Sequence, residues 1–160
     1  MKKIFFRVIP AVILGFMVLV SLPNVSHAEH TSEVGAKTPP PPEDIDIKGI
    51  FDPDHDYLLD GTNLLTIHDK DSLRLEGTTY AEQQVDTIGI TFFLQKWDGK
   101  SWKYVGSGNE DSDSNKKLFD NSILRSAEKG YYYRVKTSHW LYHNGVYEQG
   151  ETFSGNLLMK

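Results

Sequence analysis

Gly130-Tyr131-Tyr132-Tyr133-Arg134-Val135-Lys136 is the densest cluster of β-forming residues in the chain, and it follows a polar turn at Ser126-Ala127-Glu128-Lys129. Read with the two-residue period of a strand, Tyr131, Tyr133 and Val135 share one face, and Tyr132, Arg134 and Lys136 share the other. One face is apolar and the other amphipathic, which predicts a central strand with one side on a core.

The pattern around this stretch is all-β. From Asn63 onward, short β-rich runs alternate with Gly, Asn, Asp and Ser clusters, and no long 3.6-residue period appears. Strands are predicted at 64–68, 72–80, 87–97, 102–107, 117–124, 130–141 and 146–154. About seven short antiparallel strands in one domain predict a two-sheet sandwich of immunoglobulin or fibronectin type III kind.

Two hairpins can be read in register. Asp98-Gly99-Lys100-Ser101 joins Trp97 to Trp102, which sets Gln95 opposite Tyr104 and Leu94 opposite Val105. Ile88, Ile90, Phe92, Leu94 and Val105 then form a uniformly apolar core face. Phe93, Gln95, Trp97, Trp102 and Tyr104 point the other way. The second hairpin turns at Asn144-Gly145, a strong type I′ signal. It pairs His143 with Val146, Tyr142 with Tyr147 and Trp140 with Gln149. Tyr131 is placed to bond its hydroxyl back to the preceding turn, as a tyrosine corner does.

Tyr-x-Tyr-x-Val followed by a hairpin and Ser154 resembles the corresponding part of fibronectin type III domains. Leu94-Gln95-Lys96-Trp97-Asp98-Gly99-Lys100-Ser101-Trp102, taken with Gly130–Lys136, resembles a family of small secreted proteins of Gram-positive, bacillus-like bacteria without an established activity. That resemblance implies export and a β domain. It implies no catalytic or binding residue.

The chain's 160 residues divide into four stretches. Residues 1–28 read as a secretory signal. Lys2, Lys3 and Arg7 precede an apolar run from Val8 to Leu22, and Ser26-His27-Ala28 forms a small-x-small cleavage site. The run is short for a membrane span, so no membrane association is expected after cleavage, and the expected location is extracellular. Residues 29–44 read as a disordered proline-rich linker, because Pro39 to Pro42 cannot donate to a ladder. Residues 45–62 read as an extended segment docking on the domain, and 63–160 as the sandwich.

Charge and cysteine content narrow the function. Loss of the three basic residues of the signal leaves 14 Lys and Arg against 22 Asp and Glu, taking the formal charge from −5 to −8. Such a surface is repelled by nucleic acid, which is excluded as a partner. The absence of cysteine excludes disulfides, so stability must come from an ordinary core.

Few constellations suggest chemistry. Asp52-x-Asp54-x-Asp56 resembles the start of a calcium loop, but Tyr57 and Asn63 stand where such a loop needs Gly and an acid. Asn109–Asn115 invites the same idea and lacks both features. His139 and His143 have zincin spacing without the intervening Glu, and on a strand positions four apart lie about 13 Å from each other. They are read as partly exposed hairpin histidines. No Gly-x-Ser-x-Gly elbow exists. No catalytic residue, metal or cofactor is therefore expected.

The aromatic face is the candidate site. Phe93, Trp97, Trp102 and Tyr104, with Tyr132 and Arg134 beside them, suit stacking on sugar rings or docking of a protein partner. Three alternatives stand against a ligand face. The tryptophans could simply zip the hairpin, residues 45–59 could cover the face, or a homodimer could bury it. The leading expectation is a secreted, non-enzymatic protein binding a polysaccharide or protein partner. The others are a self-associating matrix protein and a small secreted hydrolase.

Overall fold

A computed structural model of the chain describes residues 34–42 and 49–160. The predicted signal at 1–28 lies outside the described residues, as do 29–33 of the linker and 43–48. The described residues contain seven strands and no helix: β1 (Leu58–Asp69), β2 (Ser72–Trp97), β3 (Trp102–Tyr104), β4 (Asn109–Ser126), β5 (Tyr132–His143), β6 (Val146–Phe153) and β7 (Leu157–Leu158). All pairings are antiparallel, in one hydrogen-bonded sheet of order β1-β2-β5-β6, with β3 and β4 also on β2 and β7 on β5. This sheet curls into a half-barrel.

The curl comes from the β2–β4 ribbon. The runs expected as separate strands at 72–80 and 87–97 are one strand, β2, of 26 residues. Its first part pairs with β1 and its second with β5, while β4 follows it along both. The register breaks between Tyr80 and Val85, where the opposing residues on β4 are Leu118 and Lys116. Four residues of β2 thus face one of β4, a large bulge that bends the ribbon. Ala81 and Val85 turn inward and are buried, Glu82, Gln83 and Gln84 stay in solvent, and Gln84 Nε2 donates to the Asn115 carbonyl at 2.8 Å.

Bending brings the two parts of β2 face to face. Leu73 and Leu75 pack with Ile90, Phe92 and Leu94 of the same strand, and with Leu65, Tyr133, Val135 and Met159. A Cβ added at Gly77 would lie 3.0 Å from the Phe92 ring, so the layers touch there without a side chain between them. The predicted core face of Ile88, Ile90, Phe92 and Leu94 is fully buried, with Val105 packed beside it.

Both hairpins have the expected register. Trp97 pairs with Trp102 and Gln95 with Tyr104, and Val105 N donates to the Leu94 carbonyl at 2.9 Å. Asp98 Oδ1 accepts from the backbone of Lys100 and Ser101, which fixes the first turn. His143 pairs with Val146, Tyr142 with Tyr147 and Trp140 with Gln149; Asn144 and Gly145 have φ of 50° and 82°, as a type I′ turn needs.

Three expectations are corrected. Residues 109–115 are no acidic loop but the first part of β4, paired with Thr87–Phe92. The first strand, expected at 64–68, runs from Leu58 to Asp69, and Ile50 ahead of it bridges to Glu151 of β6. The tyrosine corner belongs to Tyr133, not Tyr131. The Tyr133 hydroxyl accepts from Glu128 N at 2.9 Å and donates to the Glu128 carbonyl at 3.3 Å, closing the turn that leads into β5. Tyr131 lies only partly buried at the rim, with the Lys96 ammonium 3.5 Å from its ring centroid. Tyr133→Phe should therefore lower the unfolding free energy by about 1–2 kcal/mol, read as an earlier urea midpoint at unchanged slope, whereas Tyr131→Phe should not.

Candidate functional site

The face of the sheet turned away from the core is the candidate site. Its composition follows from the pleat: the outward positions on β2 from Thr87 to Gln95 (Thr87, Gly89, Thr91, Phe93, Gln95) each have an outward neighbour on β5, and Trp97 has Trp102 on β3. Gln95 is flanked by Tyr104 and Arg134, Phe93 by Lys136, Gly89 by Trp140 and Thr87 by Tyr142. Phe153, Gln149 and Tyr147 of β6 continue the rows beside Lys136, Trp140 and Tyr142.

The six residues singled out from the sequence share this face but not one environment. Trp97 and Tyr132 are buried, 6% and 4% exposed, in a cluster with Leu158. Ala36 and Trp102 pack against that cluster. What covers it is the proline-rich segment. The Trp97 indole N–H donates to the Pro39 carbonyl at 3.1 Å, and Lys37 N donates to the Gly130 carbonyl at 2.7 Å. Residues 34–42, expected to stand free as a spacer, lie on the sheet instead. Their prolines lack N–H groups but keep carbonyls that accept, and little backbone freedom is lost when they dock.

Arg134 closes the edge of this cluster. Its guanidinium lies 4.5 Å from the Trp102 ring centroid and 4.9 Å from that of Phe153, and its Nε donates to Gln95 Oε1 at 2.7 Å. The expected row of open aromatics is thus a stacked and hydrogen-bonded array at this end. Only Tyr104 is well exposed, with the half-buried Phe93 ring edge-on to it at 5.8 Å.

The 45–59 segment does not cover this face where it is described. Phe51 lies over Gly150 on the core side, where a Cβ would stand 2.2 Å from its ring, and Tyr57 meets His143 edge-on at 4.8 Å. Glu148 holds the segment down: its carboxylate accepts from the backbone N–H groups of Asp56, Tyr57 and Leu58 at 2.7, 3.0 and 2.6 Å. Burial pushes that carboxyl up, but the three donors outweigh it and hold its pKa below the usual value.

The open part of the face is at the other end of the strands. Trp140 and Tyr147 stack with ring centroids 6.2 Å apart and planes 27° apart. Trp140 lies flat over Gly89, where a Cβ would come within 2.4 Å of the ring, so only glycine permits this posture. Tyr147 is 56% exposed and Tyr142 46%. Polar groups frame the pair: Tyr147 Oη donates to Gln149 Oε1 at 3.0 Å, and Thr91 Oγ1 donates to Glu110 Oε2 at 3.1 Å. The Tyr147 hydroxyl pKa is raised, by burial and by the nearby Glu110 charge. The register read from Asn144-Gly145 already put Trp140, Tyr142 and Tyr147 on one face. The histidines flanking them were the competing signal.

His139, expected to be partly exposed, is fully buried. It faces Gly61, where a Cβ would stand 2.3 Å from its ring, and its nitrogens meet Thr79 Oγ1 at 2.9 Å and Thr152 Oγ1 at 2.8 Å. His143 is engaged separately with Asp86 and Gln83. Among the described residues no group of three or more His, Asp or Glu converges to hold a metal. Asp52 caps its own turn, its Oδ1 accepting from Asp54 N at 3.0 Å. A cleft of about 320 Å³ opens where the curl leaves β1 apart from residues 153–157. Its one hydroxyl nucleophile, Ser154 Oγ, is engaged with Val135 N and the Gly155 carbonyl. No helix among the described residues is long and apolar enough to cross a membrane.

No protein-family model, curated protein or solved structure matches the chain.

Proposed function

We propose that this is an exported, non-enzymatic binding protein that takes a polysaccharide on the outward face of its sheet, with Trp140 and Tyr147 as the stacking platform. The carrying observation is that stacked pair, an exposed Tyr147 on a half-buried Trp140 that lies against Gly89, framed by Gln149, Glu110 and Thr91. Aromatic faces cover the apolar C–H side of a pyranose, and the polar frame can bond its hydroxyls. Phe93 and Tyr104 extend the same face toward Arg134, so a chain of sugars has further contacts along the strands. Proposed in this way, the site keeps Phe93, Tyr104, Trp102 and Arg134 of the original face and moves its centre from Trp97 to Trp140.

The fold is read with it. The two parts of β2, packed through Leu73, Leu75, Phe92 and Leu94, support a sandwich of immunoglobulin or fibronectin kind whose two layers share one bent strand. Self-association through Tyr142, Val146 and Tyr147 is the second reading, favoured by the exposure of all three on one hairpin.

Affinity electrophoresis through gels containing soluble β-glucan, chitosan or wall teichoic polymer tests the proposal. At least one polymer should retard the protein, and Trp140→Ala or Tyr147→Ala should weaken that binding about tenfold with the fold intact. Retardation by none of them, or retardation unchanged in both variants, overturns it. A concentration-dependent dimer broken by Tyr147→Ala would point to self-association instead.

A further inference from the structure

The end of the face that the proline-rich segment covers is itself built as a binding site. Lys37 is held three ways: its N–H donates to the Gly130 carbonyl at 2.7 Å, its ammonium pairs with Glu128 at 2.6 Å, and it lies 5.0 Å from the Tyr131 ring centroid. Pro39 is held by the Trp97 indole N–H at 3.1 Å, and Pro41 is buried. Glycines line the path. A Cβ at Gly130 would lie 2.8 Å from Lys37 Cγ, and one at Gly99 would touch Thr38 and Pro39 at 3.7 Å. An aromatic groove with an indole donor, plus an acid placed for a basic residue, is the chemistry that recognises extended proline-rich segments.

We propose that the Trp97–Tyr132–Leu158 groove is a recognition site for a lysine-x-proline-proline segment, filled here by the chain's own residues 36–41, and that a second copy of the chain supplies the same segment in exchange. The occupant follows from the sequence seated in the groove. Every copy carries both ligand and groove, so exchange between two copies is reciprocal and closes as a symmetric dimer. The segment is bound by one backbone hydrogen bond, one from the Trp97 indole N–H, one ion pair and ring packing, without pairing into a β ladder. Such contacts release more readily than a strand does. The tethered segment competes at high effective concentration, so exchange shows when the cis segment is weakened.

Complementary full-length variants test this. One, Lys37→Glu with Pro39→Ala, has a damaged segment and an intact groove. The other, Trp97→Phe, keeps the segment and loses the indole donor; Glu128→Gln, which leaves the groove's rings in place, serves if Trp97→Phe does not fold. In sedimentation at high micromolar concentration each should be monomeric alone, and the mixture should form a one-to-one complex. A labelled Gly35–Pro42 peptide should bind the segment-damaged variant saturably, and adding Glu128→Gln to it should weaken binding up to about fivefold. Failure of the peptide to bind, or binding indifferent to both groove substitutions, overturns the site. Peptide binding without a mixed complex overturns the second copy as its occupant.

Discussion

Glu148→Ala is expected to lower the unfolding free energy by about 3 kcal/mol at pH 7, among the largest losses available from a single polar side chain. The carboxylate is 6% exposed and accepts three backbone N–H groups, from Asp56, Tyr57 and Leu58. Those groups lead into β1, while Glu148 sits on β6, so the side chain joins the two ends of the β1-β2-β5-β6 path. Ile50, bridged to Glu151, adds a second link across the same seam. Removing the acceptor strands the buried Leu58 N–H, while water can reach those of Asp56 and Tyr57, which keeps the cost below the sum of three charged hydrogen bonds. Glu148→Gln keeps one carbonyl oxygen and should cost about half as much. Since the folded carboxyl titrates below its unfolded value, this stability is present in full above the unfolded pKa and fades as the pH falls through the folded one. Urea denaturation at pH 7 and in acid reads both effects. A Glu148→Ala variant as stable as the parent at pH 7 would show that the seam does not depend on this residue.

What the sequence made legible was local. The two hairpins, the core face of Ile88, Ile90, Phe92 and Leu94, and the faces of the Tyr-rich strand all depend on pairings a few residues apart and on the two-residue period. The curl was not legible in that way. Ala81-Glu82-Gln83-Gln84-Val85 reads as a polar break between strands, and only the register of β4, some thirty residues on, makes it a bulge inside one strand. The acidic run 109–115 failed for the same reason. A strand whose side chains are exposed throughout carries no hydrophobic alternation, and it exists because β2 offers it an edge. Burial of Trp97 and Tyr132 depended on a ligand that is part of the chain. Four prolines argue against a strand, but they do not argue against docking on rings through a carbonyl. Tyr131 and Tyr133 lie on one face and differ only in depth, so periodicity could choose the face of the tyrosine corner but not its residue.

Acidification from pH 6.5 to about 4 is expected to cost the protein on the order of 3 kcal/mol through His139 alone. The ring is fully buried between β1, β2 and β6, and burial pushes its pKa down from 6.5 to about 4, with the Asp60 charge opposing. The hydrogen bonds assign the proton. Thr79 Oγ1 gives its own hydrogen to the Gly89 carbonyl at 3.1 Å, so it must accept from His139 Nδ1–H. Nε2 then accepts from the Thr152 hydroxyl. Both ring nitrogens are satisfied in the neutral form, and a second proton would put a charge where neither Thr can ionise to balance it. The folded pKa is below the unfolded one, so the unfolded chain binds the proton first. Stability is therefore full above about pH 6.5, falls through the window down to about pH 4, and levels off below it for this group. The carboxylates with lowered pKa, Glu148 and Glu128 among them, act from the acid end of that window downward, because their unfolded values lie near 4.5. His139→Gln should remove most of the slope between pH 6.5 and about 5, where the carboxylates do not yet titrate, while keeping an amide to bond the threonines, at some cost in stability at pH 7. Unfolding free energies of parent and variant across that range decide the matter: equal slopes would mean that the loss in acid arises elsewhere.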